Sequence, residues 1–329
     1  MSAVFASPQA WFQRKARWHW MEIGFWLCTL APFVLFESYL QLASQIAIAA
    51  LFALSLDLIL GYAGIVSLGH AAFFGLGAYA AGILSKSIWG EPLLLTVIGA
   101  AIAGVAGYLT SFIVARFRHL ALIMITLGLG LLLYEAANSA SALTGGADGL
   151  QGIKIRPLLE AFRFDLYGRT AYAYSLLVLF ACFLLSRRLI HSPFGLALRG
   201  IRENPLRMPA IGAPTASHRR RIYTLAAAMA GVAGSLLAET TSTVSLEVLS
   251  FQRSADVLVM LILGGAGRLY GGIVGAIVYM VARDQFSGAN PQYWYFWIGL
   301  LLVMVVMFVP NGLLGGLEKM RSRLSRNKP

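Results

Sequence analysis

The chain has 329 residues, 58% hydrophobic and 12% charged, with a formal net charge of +12 and a mean hydropathy of +0.73. A soluble domain carries about 25% charged residues, so half that share over this length excludes an ordinary globular enzyme and indicates a polytopic membrane protein. The basic excess does not mark a nucleic-acid binder, because the Lys and Arg residues are scattered between apolar runs rather than gathered on one face.

Residues 1–21 form an aromatic and basic leader (Trp11, Phe12, Trp18 and Trp20 with Arg14, Lys15 and Arg17), a composition that suits the headgroup layer. No small-residue cleavage site closes the first apolar run, Ile23 to Phe36, so it reads as an anchor rather than a signal peptide. A second span follows over Ser38 to Leu56, then an uncharged stretch from Leu58 to Ser85 with glycine at 61, 64, 69, 75, 77 and 82. Glycine this frequent predicts close helix contact or a helix broken around a cavity. Pro92 to Ala115 carries a small-residue ridge at Gly99, Ala103 and Gly107, and Leu120 to Tyr134 returns. Residues 138–169 read as a long outer loop, Thr170 to Ser186 as a span, and 187–221 as a basic inner loop. Ile222 to Ala238 repeats small residues at every fourth position (Ala227, Gly231, Ser235). Residues 240–254 read as a polar link. Val257–Gly267 and Leu269–Ala282 are short runs split by Arg268, and Gly267, Gly271 and Gly275 form a further ridge. Tyr293 to Val309 is the last span, followed by a basic tail over 314–329, so the permeation domain would cover 22–313.

This threading places 19 of the 26 Lys and Arg residues on the inner side and 7 on the outer, which satisfies the bias for basic inner loops. Both termini are then cytoplasmic and the span number is even. A single crossing over 257–282 would strand the basic tail outside, so that segment should be two short crossings or a re-entrant hairpin. The expectation is an all-α polytopic membrane protein with about ten transmembrane or half-membrane helices, eight being the lower count.

Two segments look alike: SLDLILGYAG (55–64) and SADVLVMLILGGAG (254–267). Each has Ser-x-Asp, an apolar stretch and Gly-x-x-Gly, and such interrupted segments in two halves point to a translocation path. The path candidates are therefore Asp57, Gly61, Gly64, Ser67, His70, Tyr79, Asp256, Gly264 and Gly267. Asp57 and Asp256 can cap a helix break or give a cavity polarity; their place near span ends favours the interface. Glu135 and Glu239 read as interfacial, and His70 as a packed, hydrogen-bonded side chain. Cys28 and Cys182 lie in apolar runs with no partner ligands, so neither a disulfide framework nor a metal site is expected.

The basic loop holds a short amphipathic helix. Ser192-Pro193 is a sound start, with Ser as N-cap and Pro in the first turn; Phe194, Ala197, Leu198 and Ile201 share one face, Arg199, Arg202 and Glu203 the other, and Pro205 stops it. A helix of about three turns is not stable alone in water, so it needs a surface to dock on. A lever for a cytoplasmic motor and a helix lying on the bilayer are equally compatible with the residues. No G-x-x-x-x-G-K-[ST] occurs, so the chain should bind no ATP itself; neither GxSxG nor HExxH is present, and no catalytic residue is assigned.

PFGLALRGIRENPLRMPAIG (193–212) resembles the cytoplasmic coupling loop of permeases of the branched-chain amino-acid ABC transporter family. LSLDLILGYAGIVSLGHAAFFGLGAYAAG resembles that family's N-terminal signature, and ITLGLG…LTGGADGL (125–149) its LivM-type branch. VLVMLILGGAGRLYGGIVGA (257–276) and VPNGLLG (309–315) resemble its C-terminal signatures. The resemblance spans about 40 to 315. It implies a multi-pass subunit of the bacterial inner membrane that pairs with a second, related permease, sits on two cytoplasmic ATPase subunits that use ATP and Mg, and takes solute from a periplasmic binding protein. By position, Arg199, Arg202, Glu203, Asn204 and Pro205 would contact the ATPase. The family serves branched-chain amino acids but also urea, amides and aromatic acids. An acid often follows its TLG-type turn; here that place is near Leu131, and Glu135 lies further on. The rival reading is an ion- or proton-coupled secondary transporter, which would need buried acids tuned for coupling and no ATPase.

Overall fold

A computed structural model describes residues 20–319 except 36, 88–89, 118, 159–161, 163, 165–167, 310–311 and 317–318. The leader's Trp11, Phe12, Trp18, Arg14, Lys15 and Arg17, and the tail beyond Lys319, lie outside the described residues. The protein is all-α: the described residues form helices joined by turns, with only isolated bridges at Leu150–Val244 and Leu158–Phe162. In chain order the helices longer than one turn are α1 (Trp20–Cys28), α2 (Leu40–Asp57), α3 (Ala71–Ser87), α4 (Pro92–Val114), α5 (His119–Ser139), α6 (Arg169–Ile190), α7 (Pro193–Glu203), α8 (Thr215–Thr241), α9 (Phe251–Gly264), α10 (Leu269–Ala289) and α11 (Trp294–Phe308). Among the described residues six helices are long and apolar enough to cross a membrane; α3 and the segment Trp20–Leu35 are shorter, and α9 and α10 form a pair bent by 113°. That makes ten apolar segments, several shorter than a full crossing.

The spans are tied by the small-residue ridges. α8 lies at the centre, packed against α4, α3 and α2. Its ridge meets that of α4 in antiparallel register: a Cβ on Gly107 would meet Ala227, one on Gly231 would meet Ala103 and Gly99, and one on Gly99 would meet Ser235. Apolar side chains gain little by leaving lipid for protein, so close backbone contact of this kind is what holds membrane helices together. The ridge of α10 works likewise against α9, where Gly271 abuts Gly265 and Gly275 abuts Met260.

Several boundaries differ from expectation. The loop over 138–169 packs back on the bundle: Leu150 and Ile153 are buried, Leu150 pairs with Val244, Ser85 donates to the Lys154 carbonyl (2.6 Å), and Arg156 N–H bonds Gly90 O (2.8 Å). The polar link ends early, because Ser250 caps α9 by accepting from Arg253 N–H (3.2 Å) and helix begins at Phe251. α10 runs on through Arg283 and Asp284 to Ala289, polar residues that a helix carries readily once it faces a polar cavity.

The ridge contact gives a test. Gly231→Ala puts a methyl against Ala103 and 2.7 Å from the Gly99 carbonyl, and should destabilise the purified protein by about 1–3 kcal/mol. Gly128→Ala, where nothing lies within 4 Å, should be neutral or stabilising. Unfolding in mixed micelles of both variants checks the pair.

Candidate coupling and translocation site

Two of the five predicted coupling residues, Arg199 and Arg202, meet four of the nine predicted path residues, Asp57, Gly61, Gly64 and Gly267, in one place. α2 does not stop at Asp57: it widens into a π-turn over Leu58–Tyr62 and leaves the helix at Gly64, which has φ +67. On the other side, the α9–α10 turn passes through Gly265 and Gly267 with φ +107 and +80. These corners touch, and a Cβ on Gly61 would overlap both Gly267 and the Asp57 carboxylate. Asp57 is wholly buried, and its Oδ1 accepts from Gly267 N–H at 2.7 Å. It is therefore a cap that joins the two breaks, not an interfacial side chain.

α7 seats on this junction. Ser192 caps it, accepting from Gly195 N–H, and Leu198 and Ile201 are buried. Phe194 stacks on His218 at 5.2 Å. The polar face divides. Arg202 donates to the Gly61 carbonyl and its stem lies against Gly64, while the Arg199 guanidinium stands 5.3 Å above the Tyr62 ring. Both arginines thus reach back into the membrane domain. Asn204 Oδ1 accepts from Leu206 and Arg207 N–H (3.3 and 3.0 Å), capping the next turn. Glu203 is exposed, Pro205 is half-buried, and Leu196, Leu206 and Ile211 are 52%, 79% and 68% exposed. The outward surface of this loop sets these apolar side chains beside Glu203 and the exposed Arg207.

Beyond Gly64 the chain runs without helix to His70, buried over most of its length. Its amides find protein partners: Ile65 N–H bonds Ile59 O (2.8 Å), Leu68 N–H bonds Thr126 Oγ1 (3.2 Å) and Ala71 N–H bonds Ser254 Oγ (3.0 Å). Irregular backbone is tolerated at membrane depth only when protein or a wet cavity satisfies it. Ser67 and His70 are buried here. His70 Nε2 lies 2.8 Å from Ser55 Oγ, which itself donates to Phe52 O (2.7 Å), and the ring stacks on Phe52. That network assigns the proton to Nε2 and makes His70 a packed residue. Tyr79, two turns along α3, takes no part in the junction.

The Asp residues of the repeat part company. Gly267 shares the junction with Gly61 and Gly264 packs on Gly271 and Gly275 of α10, but Asp256 lies eight residues before Gly264 where Asp57 lies four before Gly61. The extra turn carries Asp256 toward the other end of α9, where it lines a separate cavity and accepts from Tyr279 OH (2.8 Å) and Gln252 Nε2 (3.1 Å). Glu239 also differs from expectation. It is 2% exposed on α8, accepts from Thr96 Oγ1 (3.0 Å), and Thr96 pairs with Tyr174 OH (2.8 Å), tying α8 to α4 and α6. The signal was present, since 239 continues the spacing of 227, 231 and 235. Glu135 is exposed, as an interfacial acid should be. Among the described residues no three His, Cys, Asp or Glu side chains converge as metal ligands.

Residues 38–306 match the family described as branched-chain amino acid transport system, permease component. The chain belongs to this family. Two relatives are the high-affinity branched-chain amino acid transport system permease proteins LivM of Escherichia coli (strain K12) and Salmonella typhimurium, each 28% identical over 86% of this chain and 71% of theirs. A probable LivM permease of Methanocaldococcus jannaschii is 26% identical over 79% of this chain and 88% of its own. No solved structure matches. Membership favours a permease subunit of an ABC importer over an ion-coupled secondary transporter, and the family's loop signature falls on the helix seated at the junction.

The Asp57 cap is separable from its charge. Asp57→Asn keeps an acceptor for Gly267 N–H; Asp57→Ala removes it. The Ala variant should lose about 1–3 kcal/mol of stability, the cost of stranding a buried donor, and the Asn variant clearly less. Equal losses in micellar unfolding would show that Asp57 does not act through this bond.

Proposed function

We propose that this permease carries branched-chain amino acids, or closely related small solutes, into the cell by alternating access driven by partner ATPases. The α7 end faces the cytoplasm in this reading, the end bearing Leu150 and Val244 faces the periplasm, and both termini are cytoplasmic. A second related permease, two ATPase subunits that bind ATP and Mg, and a periplasmic binding protein complete the importer. The solute class rests on the names of the relatives.

One observation carries the reading. α7 is held from within by Arg202 on Gly61 and Arg199 on Tyr62, while Leu196, Leu206 and Ile211 stand in solvent on the other side. Exposed large apolar residues grouped on one loop mark a protein interface. A push on that loop is delivered by two arginines to the corner shared by both broken helices.

Inner and outer halves of the lever should fail differently. Leu206→Glu with Ile211→Glu should abolish co-purification of the ATPase subunits. Arg202→Ala should leave the complex assembled yet lower the ATPase stimulation produced by loaded binding protein by about tenfold, within the usual range of coupling energies. Full stimulation in the Arg202 variant would refute the internal latch; retained co-purification in the double variant would refute the docking face.

A further inference from the structure

A cavity of about 360 Å³ opens at the end of the bundle opposite α7, between α2, α8, α9 and α10. Its lining has two characters. Ile48, Phe52, Met260 and Met280 give an apolar side, and Glu247, Arg253, Asp256, Arg283 and Asp284 bring charges of both signs. Among the described residues none of these five forms an ion pair with another; the ion pairs seen are Glu37–Arg169 and Glu22–Arg187. Arg283 lies 5.2 Å from the Trp294 ring and Arg253 5.9 Å from the Phe74 ring. Arg253 Nε is buried without a hydrogen-bond partner, in the first turn of α9, where the helix dipole adds to its positive field. Asp256 is fixed by Tyr279 and Gln252, both neutral donors, which orient the carboxylate without neutralising it. Arg253 and Asp256 are half-buried in this wall and neither forms an ion pair among the described residues, and ionisable groups that face a cavity within a membrane domain mark binding sites.

Arg253 and Asp256 are three residues apart on one helix, which sets their Cβ atoms about 5–6 Å apart. That spacing suits a small molecule bearing a carboxylate and an ammonium on adjacent atoms. We infer that this cavity binds the solute as a zwitterion, its carboxylate toward Arg253, its ammonium toward Asp256, and its apolar side chain against Ile48, Phe52, Met260 and Met280. The inference rests on the importer reading and sharpens it. A neutral amide would leave both charges unmatched, and a plain carboxylic acid would leave Asp256 unmatched. The cavity selects amino acids from among the solutes that the family resemblance allows, and it does so within one subunit.

The test uses the complete importer in proteoliposomes with ATP, and L-leucine, leucinamide and 4-methylpentanoate as probes. Arg253→Gln and Asp256→Asn should each lower leucine uptake about tenfold, the loss expected for one charge-assisted hydrogen bond, with Arg253→Lys recovering part of it. A second measurement does not depend on those variants folding. Thr243 is exposed at the mouth of the cavity. In a Thr243→Cys permease lacking Cys28 and Cys182, leucine should slow labelling by a membrane-impermeant maleimide, while leucinamide and 4-methylpentanoate should not. Wild-type uptake rates in both variants, or labelling that leucine does not slow or that all three probes slow alike, would overturn the cavity assignment and leave the importer intact. Absence of ATP-dependent leucine uptake by the wild-type complex would overturn the importer reading and the cavity with it.

Discussion

The structure depends on one constraint: backbone that leaves the helix inside a bilayer must find every partner within the protein. The chain breaks helix twice in its core, at 63–70 and at 265–268. Both breaks are resolved by bringing the corners together. Asp57 accepts from Gly267 N–H, Arg202 donates to Gly61 O, and Thr126 and Ser254 take up amides of the extended stretch. Glycine at 61 is demanded by contact, since that corner has no room for a Cβ, and at 267 by its φ of +80. Each bond crosses between elements distant in sequence, so the breaks weld the two halves of the domain as much as they interrupt its helices.

A weld of this kind is useful only between parts that move as units. The α4–α8 and α9–α10 contacts supply them, because interlocked small-residue ridges leave no slack for sliding without backbone overlap. Glu239, Thr96 and Tyr174 add a hydrogen-bonded tie between α8, α4 and α6. α7, by contrast, is short and amphipathic and touches the domain through a few side chains. The compliant element therefore sits on the surface and the stiff ones beneath it, the arrangement in which a force applied to the loop reaches the corners before it is dissipated.

Much of this was legible in the sequence where a local rule decides the outcome. Ser192-Pro193 and Pro205 bracket α7, the four-residue spacings at 99–107 and 227–235 mesh, and the paired Gly-x-x-Gly segments meet. What was not legible depends on the third dimension. Asp57 near a span end reads as interfacial until α10's turn is seen to cover it. Asp256 was aligned with Asp57 by motif, but four extra residues move it one turn away, and similarity of letters carries no depth. Arg199 and Arg202 are cations on a polar face, and nothing local says whether such a face looks outward to a partner or inward to a carbonyl. Arg253 was assigned to a loop because Ser250, its cap, lies in a polar run that hides the helix start.

The position of α9 joins the two functional readings. Gly267, three residues after its end, abuts Gly61 and Arg202, and its first two turns carry Arg253 and Asp256 in the cavity. Fourteen helical residues span about 21 Å, and a helix of that length does not compress. Displacement of the Gly267 corner by α7 must therefore move the cavity's charged wall or rotate it relative to α2 and α8. Within the importer reading, solute release needs no separate signal. On that reading the helix that ends at the inner corner also carries Arg253 and Asp256, and a shift of it against Tyr279 and Met280 would change the geometry that both ends of a zwitterion require.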